Sequence, residues 1–167
     1  MKPLRDADDE SVYALDVRDQ IEVFVDDHRA AIGRCLDGLT EDQATKRIVA
    51  SDTTLLGLVK HATFVEQVWF GEAVSGRSRS ELGIVAGPDE SFVLDEGDTI
   101  ESVRAAHDLA CQQSRQAAAS LSLDDEVAGN RRGPLPLRWI YLHVLRELAQ
   151  HCGHADILRE QILAADG

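Results

Sequence analysis

The C-terminal segment carries four side chains of the kinds that bind metal ions: His143, Glu147, His151 and His154. If the segment is one helix, its turn of about 100° per residue places the last three about 40°, 80° and 20° from the first. The four side chains then share an arc of roughly 80° on one side of the helix. That arc is flanked by apolar residues at helical spacing: Ile140, Val144, Leu148, Ala155, Leu158 and Ile162. Polar groups beside a core-facing stripe need hydrogen bonds or a metal ion to offset their loss of water.

Glu147 and His151 are four residues apart, which places them one above the other on a single helix face. The chain lacks the H-E-x-x-H sequence of metalloproteases here, so a protease is not supported. Catalytic zinc takes three protein ligands and leaves a position for water or substrate. Glu147 and His151 supply two, and the third has to come from another helix. The candidates are His28, His61 and His107.

Each of these residues also has an ordinary structural interpretation. Glu147 and His151 could form an ion pair across one helical turn. A single histidine on a helix is usually exposed or hydrogen-bonded within the core, and we favour this interpretation for His28 and His107. His143 either faces the site without binding the metal, or it caps a packing layer or hydrogen-bonds to a neighbouring helix.

Four segments have the hydrophobic period of amphipathic helices. They cover about residues 15–36, 51–74, 98–121 and 137–164. The second begins with a cluster of good N-cap residues, Ser51 to Thr54, and His61 lies at the border of its apolar face. Asp98 and Glu101 have the spacing of a capping box at the start of the third. The aromatic residues are interpreted as core or pocket wall: Trp69, Phe70, Trp139 and Tyr141.

A long acidic connection, residues 75–97, joins the second and third helices without a clean hydrophobic period. Connections of this length are uncommon in compact domains and tend to be functional or mobile. Four helices with one long crossover loop are typical of a four-helix bundle, and no pair of strands is indicated. We therefore predict one all-α domain over residues 1–167, a four-helix bundle in which residues 1–14 form a flexible N-terminal tail.

The chain of 167 residues has a formal net charge of −13, from 30 acidic and 17 basic side chains. A surface of this sign repels phosphate backbones and anionic lipids, which argues against nucleic-acid and membrane partners. The acidic N-terminus lacks the apolar segment of a secretory signal, and the three cysteines are odd in number and far apart. Both observations favour reduced thiols in a cytoplasm. Cys152 lies about 140° from Glu147 on the helix, so its thiol should point away from a metal there.

Two blocks of the sequence resemble the DinB-like superfamily of bacterial four-helix-bundle proteins. They are TTLLGLVKHATFVEQVWF in the second helix and LPLRWIYLHVLRELAQHCGHADILRE around the fourth. The resemblance covers nearly the whole chain, from about Leu15 to Asp166, and is nearest to the branch related to the Streptomyces mini-circle protein.

This resemblance implies an up-up-down-down bundle with a divalent metal at one end, held by a histidine of helix two and two residues of the last helix. Carried over to this sequence, the ligands are His61, Glu147 and His151. Many members have histidine where this chain has Glu147. A glutamate there is similar to mycothiol-dependent maleylpyruvate isomerase, whose zinc is held by two histidines and one glutamate. The expected ion is zinc, with nickel as the alternative, and a homodimer is common in the superfamily.

Two hypotheses for function follow. In the first, the protein is a metal-dependent enzyme that binds a low-molecular-weight thiol, lowers the pKa of that thiol and presents it to an electrophile, in thiol transfer or isomerisation. A hydrolase acting through metal-bound water is a variant of this hypothesis. His143 or His154 would orient a ligand or move a proton. In the second, the metal only ties two helices together in a small-ligand binding or stress-response module.

Overall fold

The computed structural model describes residues 10–129 and 131–165. Its long helices are α1 (Val17–Arg34), α3 (Leu55–Glu66), α6 (Ile100–Ala118) and α7 (Leu137–Ala165). Short helices α2 (Glu41–Ala44), α4 (Ala73–Ser75) and α5 (Arg79–Leu82) lie between them. The all-α four-helix bundle predicted from sequence is confirmed. Within the described residues, no helix is both long and apolar enough to cross a membrane.

Helix α1 begins where Asp16 accepts a hydrogen bond from the Asp19 N–H at 2.9 Å. Such an N-cap satisfies one of the N–H groups that the first helical turn leaves unpaired. Before it, Glu10–Ala14 form a 3₁₀ helix in which Val12 is buried. The sequence analysis places these five residues in the flexible N-terminal tail. Residues 1–9 of that tail lie outside the described part of the chain.

Helix α3 lies at the centre of the bundle, where it contacts α1, α6 and α7. It begins after Thr54, whose hydroxyl accepts a hydrogen bond from the Gly57 N–H at 2.9 Å. Nearly every residue of α3 is buried, so its hydrophobic pattern is broad rather than one-sided. The helix passes without a break into a π-helical segment, Gln67–Glu72, and then into α4.

The crossover loop after α4 is not featureless, because it contains α5 and a 3₁₀ turn at Glu90–Phe92. The 3₁₀ turn packs directly on α3. Gly57 makes this close approach possible, because a Cβ at its position would lie 2.8 Å from the Phe92 carbonyl oxygen and 3.0 Å from the Thr54 hydroxyl. The loop therefore returns along the helix that carries His61.

The predicted capping box at Asp98 and Glu101 is wrong by one residue. Thr99 is the N-cap of α6, and it exchanges hydrogen bonds with Ser102. The Asp98 carboxylate instead accepts hydrogen bonds from the Asp95 N–H at 2.8 Å and from the Lys60 ammonium at 2.6 Å. Asp98 thus holds the end of the crossover loop against α3 and is not free to cap the next helix.

A short β-ribbon precedes α7, although the sequence indicated no strands. Strand β1 (Glu126–Val127) pairs antiparallel with β2 (Leu135–Pro136). The first N–H groups of α7 also use the incoming chain, because Leu137 donates to the Asp125 carbonyl at 2.9 Å and Arg138 donates to the Leu123 carbonyl at 2.9 Å. These bonds replace an N-cap side chain and determine where α7 begins.

A buried ion pair lies among the apolar side chains of the core. Arg29 of α1 donates two hydrogen bonds to the Glu66 carboxylate, at 2.8 and 2.6 Å, and Glu66 has no exposed surface. A bidentate pair of this kind satisfies both charges. Around it lies a continuous apolar core: Val25, Ile32, Leu55, Leu58, Val59, Val65, Val103, Ile140, Val144, Leu148 and Leu158.

Replacing Gly57 with alanine is expected to destabilise the protein by about 1–3 kcal/mol, because a methyl group there overlaps backbone and side-chain oxygen atoms. The matched control is Gly153→Ala in the middle of α7, where nothing lies within 4 Å of the new Cβ. This second change should stabilise the protein by up to about 1 kcal/mol, since alanine is the better helix former. Urea unfolding of both variants measures the difference, and equal stabilities would contradict the close packing.

Candidate metal centre

Three side chains from two helices converge between α3 and α7. His61 comes from α3, and Glu147 and His151 come from successive turns of α7. One potential ligand atom from each lies within 4.8 Å of the other two. The His61 and His151 ring centroids are 4.6 Å apart, and Nε2 of His151 lies 3.8 Å from Oε2 of Glu147. The structure therefore brings together the three residues that the sequence analysis named as ligands.

His61 is almost fully buried, with 4% of its surface exposed. Its ring stacks on Phe92 at a centroid distance of 4.0 Å and an angle of 10°. Burial lowers the pKa of His61 to about 4, and His151 lowers it further in the same direction, while Glu147 opposes both. His61 is therefore neutral at pH 7, and the neutral imidazole is the form that binds metal ions.

His151 has a buried ring nitrogen that lacks a partner. Its Nδ1 has no hydrogen bond within the part of the chain that the structure describes. A buried polar atom left unpaired costs about 1–3 kcal/mol. Burial also lowers the pKa of His151, which favours the neutral form of the ring. An unpaired, neutral imidazole beside a second neutral imidazole and a carboxylate fits a divalent metal ion.

Glu147 is the only anionic member of the three, and its carboxylate is oriented by neighbours on α7. Arg146 donates to Oε1 of Glu147 at 2.9 Å and to Nδ1 of His143 at 3.0 Å. Because Nδ1 of His143 accepts, its proton is on Nε2, which lies 3.8 Å from the same Glu147 oxygen. His143 thus lies beside the three converging side chains, next to Glu147. Two nitrogen donors and one oxygen donor are a set that zinc accepts readily.

An aromatic wall borders the site on the His143 side. The His143 ring is nearly parallel to Trp139, with centroids 5.0 Å apart, and meets Trp69 edge-on at 4.3 Å. The Arg132 guanidinium lies 5.8 Å from the centre of the Trp69 ring and 5.5 Å from that of Trp139. The interpretation of both tryptophans as core or pocket wall agrees with this position.

His28, His107 and Cys152 lie apart from the three converging side chains, whereas His154 borders His151. His154 is exposed, and its ring centroid lies 5.6 Å from that of His151. His28 hydrogen-bonds through Nδ1 to a carbonyl of its own helix α1. His107 is buried in α6, close to Cys111. The Cys152 thiol donates to the His28 carbonyl at 3.6 Å, so it points toward α1, as expected.

Two residues of the crossover loop belong to the site and were missed by the sequence analysis. Phe92 stacks on His61, and Ser91 places its Oγ 2.7 Å from Nδ1 of His61. Neither residue lies in a periodic segment, so no pattern assigned them to a face. The length of the loop was the one sequence signal that this segment has a role.

Comparison with models of known protein families identifies the family of this chain. The family model described as mycothiol-S-transferase matches residues 20–164, a span that includes His61, Glu147 and His151. The chain belongs to the mycothiol S-transferase family. This family is DinB-like, so the superfamily resemblance is confirmed, whereas the nearer resemblance to the mini-circle branch stays a prediction. No curated protein has a sequence significantly similar to this chain.

The cysteines of this mycothiol S-transferase family member are not activated. Burial raises the pKa of the Cys35 and Cys111 thiols to about 12, and it raises the pKa of Cys152 to about 11. At neutral pH these side chains are thiols, and the thiolate is the reactive form. None of the three cysteines is therefore a ready sulfur nucleophile at neutral pH.

The lowered pKa of His61 predicts a pH-dependent stability of the metal-free protein. The unfolded imidazole takes up a proton near pH 6.5, whereas the folded one does so only near pH 4. Between these values the unfolded state binds more protons, so the free energy of unfolding falls as the pH falls from about 6.5 to about 4. Urea unfolding across this range, with chelator present, should show a steeper fall for the native chain than for His61→Asn. Parallel curves would mean that His61 is not held neutral.

Proposed function

We propose that this protein is a metal-dependent thiol transferase in which His61, Glu147 and His151 bind a divalent ion and mycothiol supplies the sulfur nucleophile. The observation that carries the proposal is the convergence of two neutral imidazoles and one carboxylate, where Nδ1 of His151 makes no hydrogen bond with any described residue. Family membership supports mycothiol as the thiol. The nitrogen and oxygen donors favour zinc, and nickel is the alternative that the same donors accept.

His61, Glu147 and His151 would hold a divalent ion with a position left for a thiol, and the ion would lower the pKa of that thiol. The three candidate ligands favour binding of the ion in two ways. His61 and His151 are kept neutral by burial, so no proton has to leave them before they bind the ion. Glu147 contributes one negative charge, and its carboxylate is oriented by Arg146.

The proposed reaction is the transfer of the thiol to an electrophilic carbon of a small molecule. The S–H bond breaks and its proton passes to solvent, the sulfur lone pair forms the new C–S bond, and the leaving group departs with its bonding electrons. Next to the site, Trp69 and Trp139 form an aromatic wall against His143. The three high cysteine pKa values explain why the chain would use an external thiol.

Metal analysis tests the site. The native chain, loaded with zinc and dialysed, should retain a stoichiometric amount, while His61→Ala and His151→Ala should bind zinc more than about 100-fold more weakly, since loss of outer contacts alone costs about 10- to 100-fold. His28→Ala is the matched control, because His28 is a helical histidine of α1 that lies outside the site. Equal zinc contents in the native chain and the three variants would contradict the proposed metal site.

A turnover assay tests the chemistry. With mycothiol and a chromogenic aryl halide, the zinc-loaded protein should consume the halide, a chelator should stop the reaction, and added zinc should restore it. Glutathione in place of mycothiol controls for the choice of thiol, and His28→Ala controls for mutation. If zinc is fully bound and the halide is consumed no faster than without protein, the non-catalytic binding module is the correct hypothesis and the transferase is not.

A further inference from the structure

Ser91 is a polar residue of the crossover loop that has only 2% of its surface exposed. Its hydroxyl lies between two groups. Oγ is 2.7 Å from Nδ1 of His61, and it also makes a hydrogen bond to the Pro88 carbonyl. The first partner, His61, belongs to the site, and the second, Pro88, lies three residues before Ser91 in the chain.

The directions of these two hydrogen bonds follow from the chemistry of the groups. A carbonyl oxygen can only accept, so the Ser91 hydroxyl proton is donated to Pro88. With its proton in use, Oγ has only lone pairs to offer to the imidazole. The His61 nitrogen at 2.7 Å therefore carries a proton and donates it to Ser91. In a neutral ring with Nδ1 protonated, Nε2 has the free lone pair.

We propose that Ser91 is a positioning residue that holds His61 in the Nδ1–H tautomer and leaves Nε2 free to bind the ion. The assignment of the tautomer follows from the two hydrogen bonds alone. The role of this tautomer in metal binding rests on the proposed function. A hydrogen bond to the second nitrogen of a ligating histidine is a common way to fix ring orientation and raise ligand basicity.

The neighbouring residue fixes the second degree of freedom of the ring. Phe92 lies parallel to His61 at 4.0 Å, so it opposes rotation of the imidazole about the Cβ–Cγ bond. The Phe92 backbone reaches this position because Gly57 has no side chain. Orientation and tautomer of His61 are thus both determined by two successive residues of the crossover loop, and metal affinity depends on how this loop packs on α3.

The first experiment needs no metal. Long-range ¹H–¹⁵N NMR of the histidine rings in the metal-free protein at pH 7 distinguishes a protonated ring nitrogen from an unprotonated one. In the native chain, Nδ1 of His61 should be protonated. In Ser91→Ala, both nitrogens should move toward the averaged values of a tautomer mixture. Ser114→Ala removes another buried serine hydroxyl, on α6 and away from the site, and should leave the His61 signals unchanged.

The second experiment measures zinc affinity by competition with a chelating dye. Ser91→Ala should bind zinc about 10- to 100-fold more weakly than the native chain. Ser91→Thr retains the hydroxyl and should recover most of the affinity, and Ser114→Ala should match the native chain. Unchanged tautomer and unchanged affinity in Ser91→Ala would overturn the proposal, as would equal losses in Ser91→Ala and Ser114→Ala. If the native chain binds no zinc, the proposed function is contradicted. The NMR measurement of the His61 tautomer would then still show whether Ser91 positions the ring.

Discussion

Two neutral imidazoles and one carboxylate lie side by side between α3 and α7, where water does not fully reach them. Such groups are stable in a partly dry place only if each has a partner. The unbroken 29 residues of α7 place Glu147 and His151 on successive turns, and α3 supplies His61 from the facing side. Within the described residues, Nδ1 of His151 is left without a hydrogen bond, and Nε2 of the same ring lies 3.8 Å from the Glu147 carboxylate, so the ring has a nitrogen available for a metal ion.

The buried ion pair of the core differs from the three converging side chains, because both of its charges are matched. Arg29 and Glu66 are also buried, yet their charges are matched by two short hydrogen bonds, and Arg29 also pairs with Asp26. That pair connects α1 to α3 close to the π-helical segment and completes its own hydrogen bonding. Breaking such a pair costs several kcal/mol because one charge is left behind. Among the described residues, the Arg29–Glu66 pair is thus matched, whereas His151 keeps an unpaired ring nitrogen beside His61 and Glu147.

The sequence predicted the parts of the site that lie on helices, because helical period relates spacing to direction. Glu147 and His151 were placed on one face by their separation of four residues, and the resemblance then singled out His61 from three histidines. The loop residues Ser91 and Phe92 were missed, because a chain segment without a period gives no direction for its side chains. The capping box was displaced by one residue because Asp98 bonds to Lys60, a contact between distant parts of the chain. The β-ribbon of two-residue strands is too short to have a pattern.

X-ray absorption spectroscopy of the zinc-loaded protein, before and after addition of mycothiol, tests the central claim most directly. The account predicts a first shell of nitrogen and oxygen atoms with the scattering of two imidazoles. Mycothiol should add one sulfur neighbour at about 2.3 Å, the usual zinc–sulfur distance. Sulfur in the shell before the thiol is added would mean that a cysteine of the chain binds the ion. A shell that mycothiol leaves unchanged would contradict the proposed role of the metal in thiol transfer.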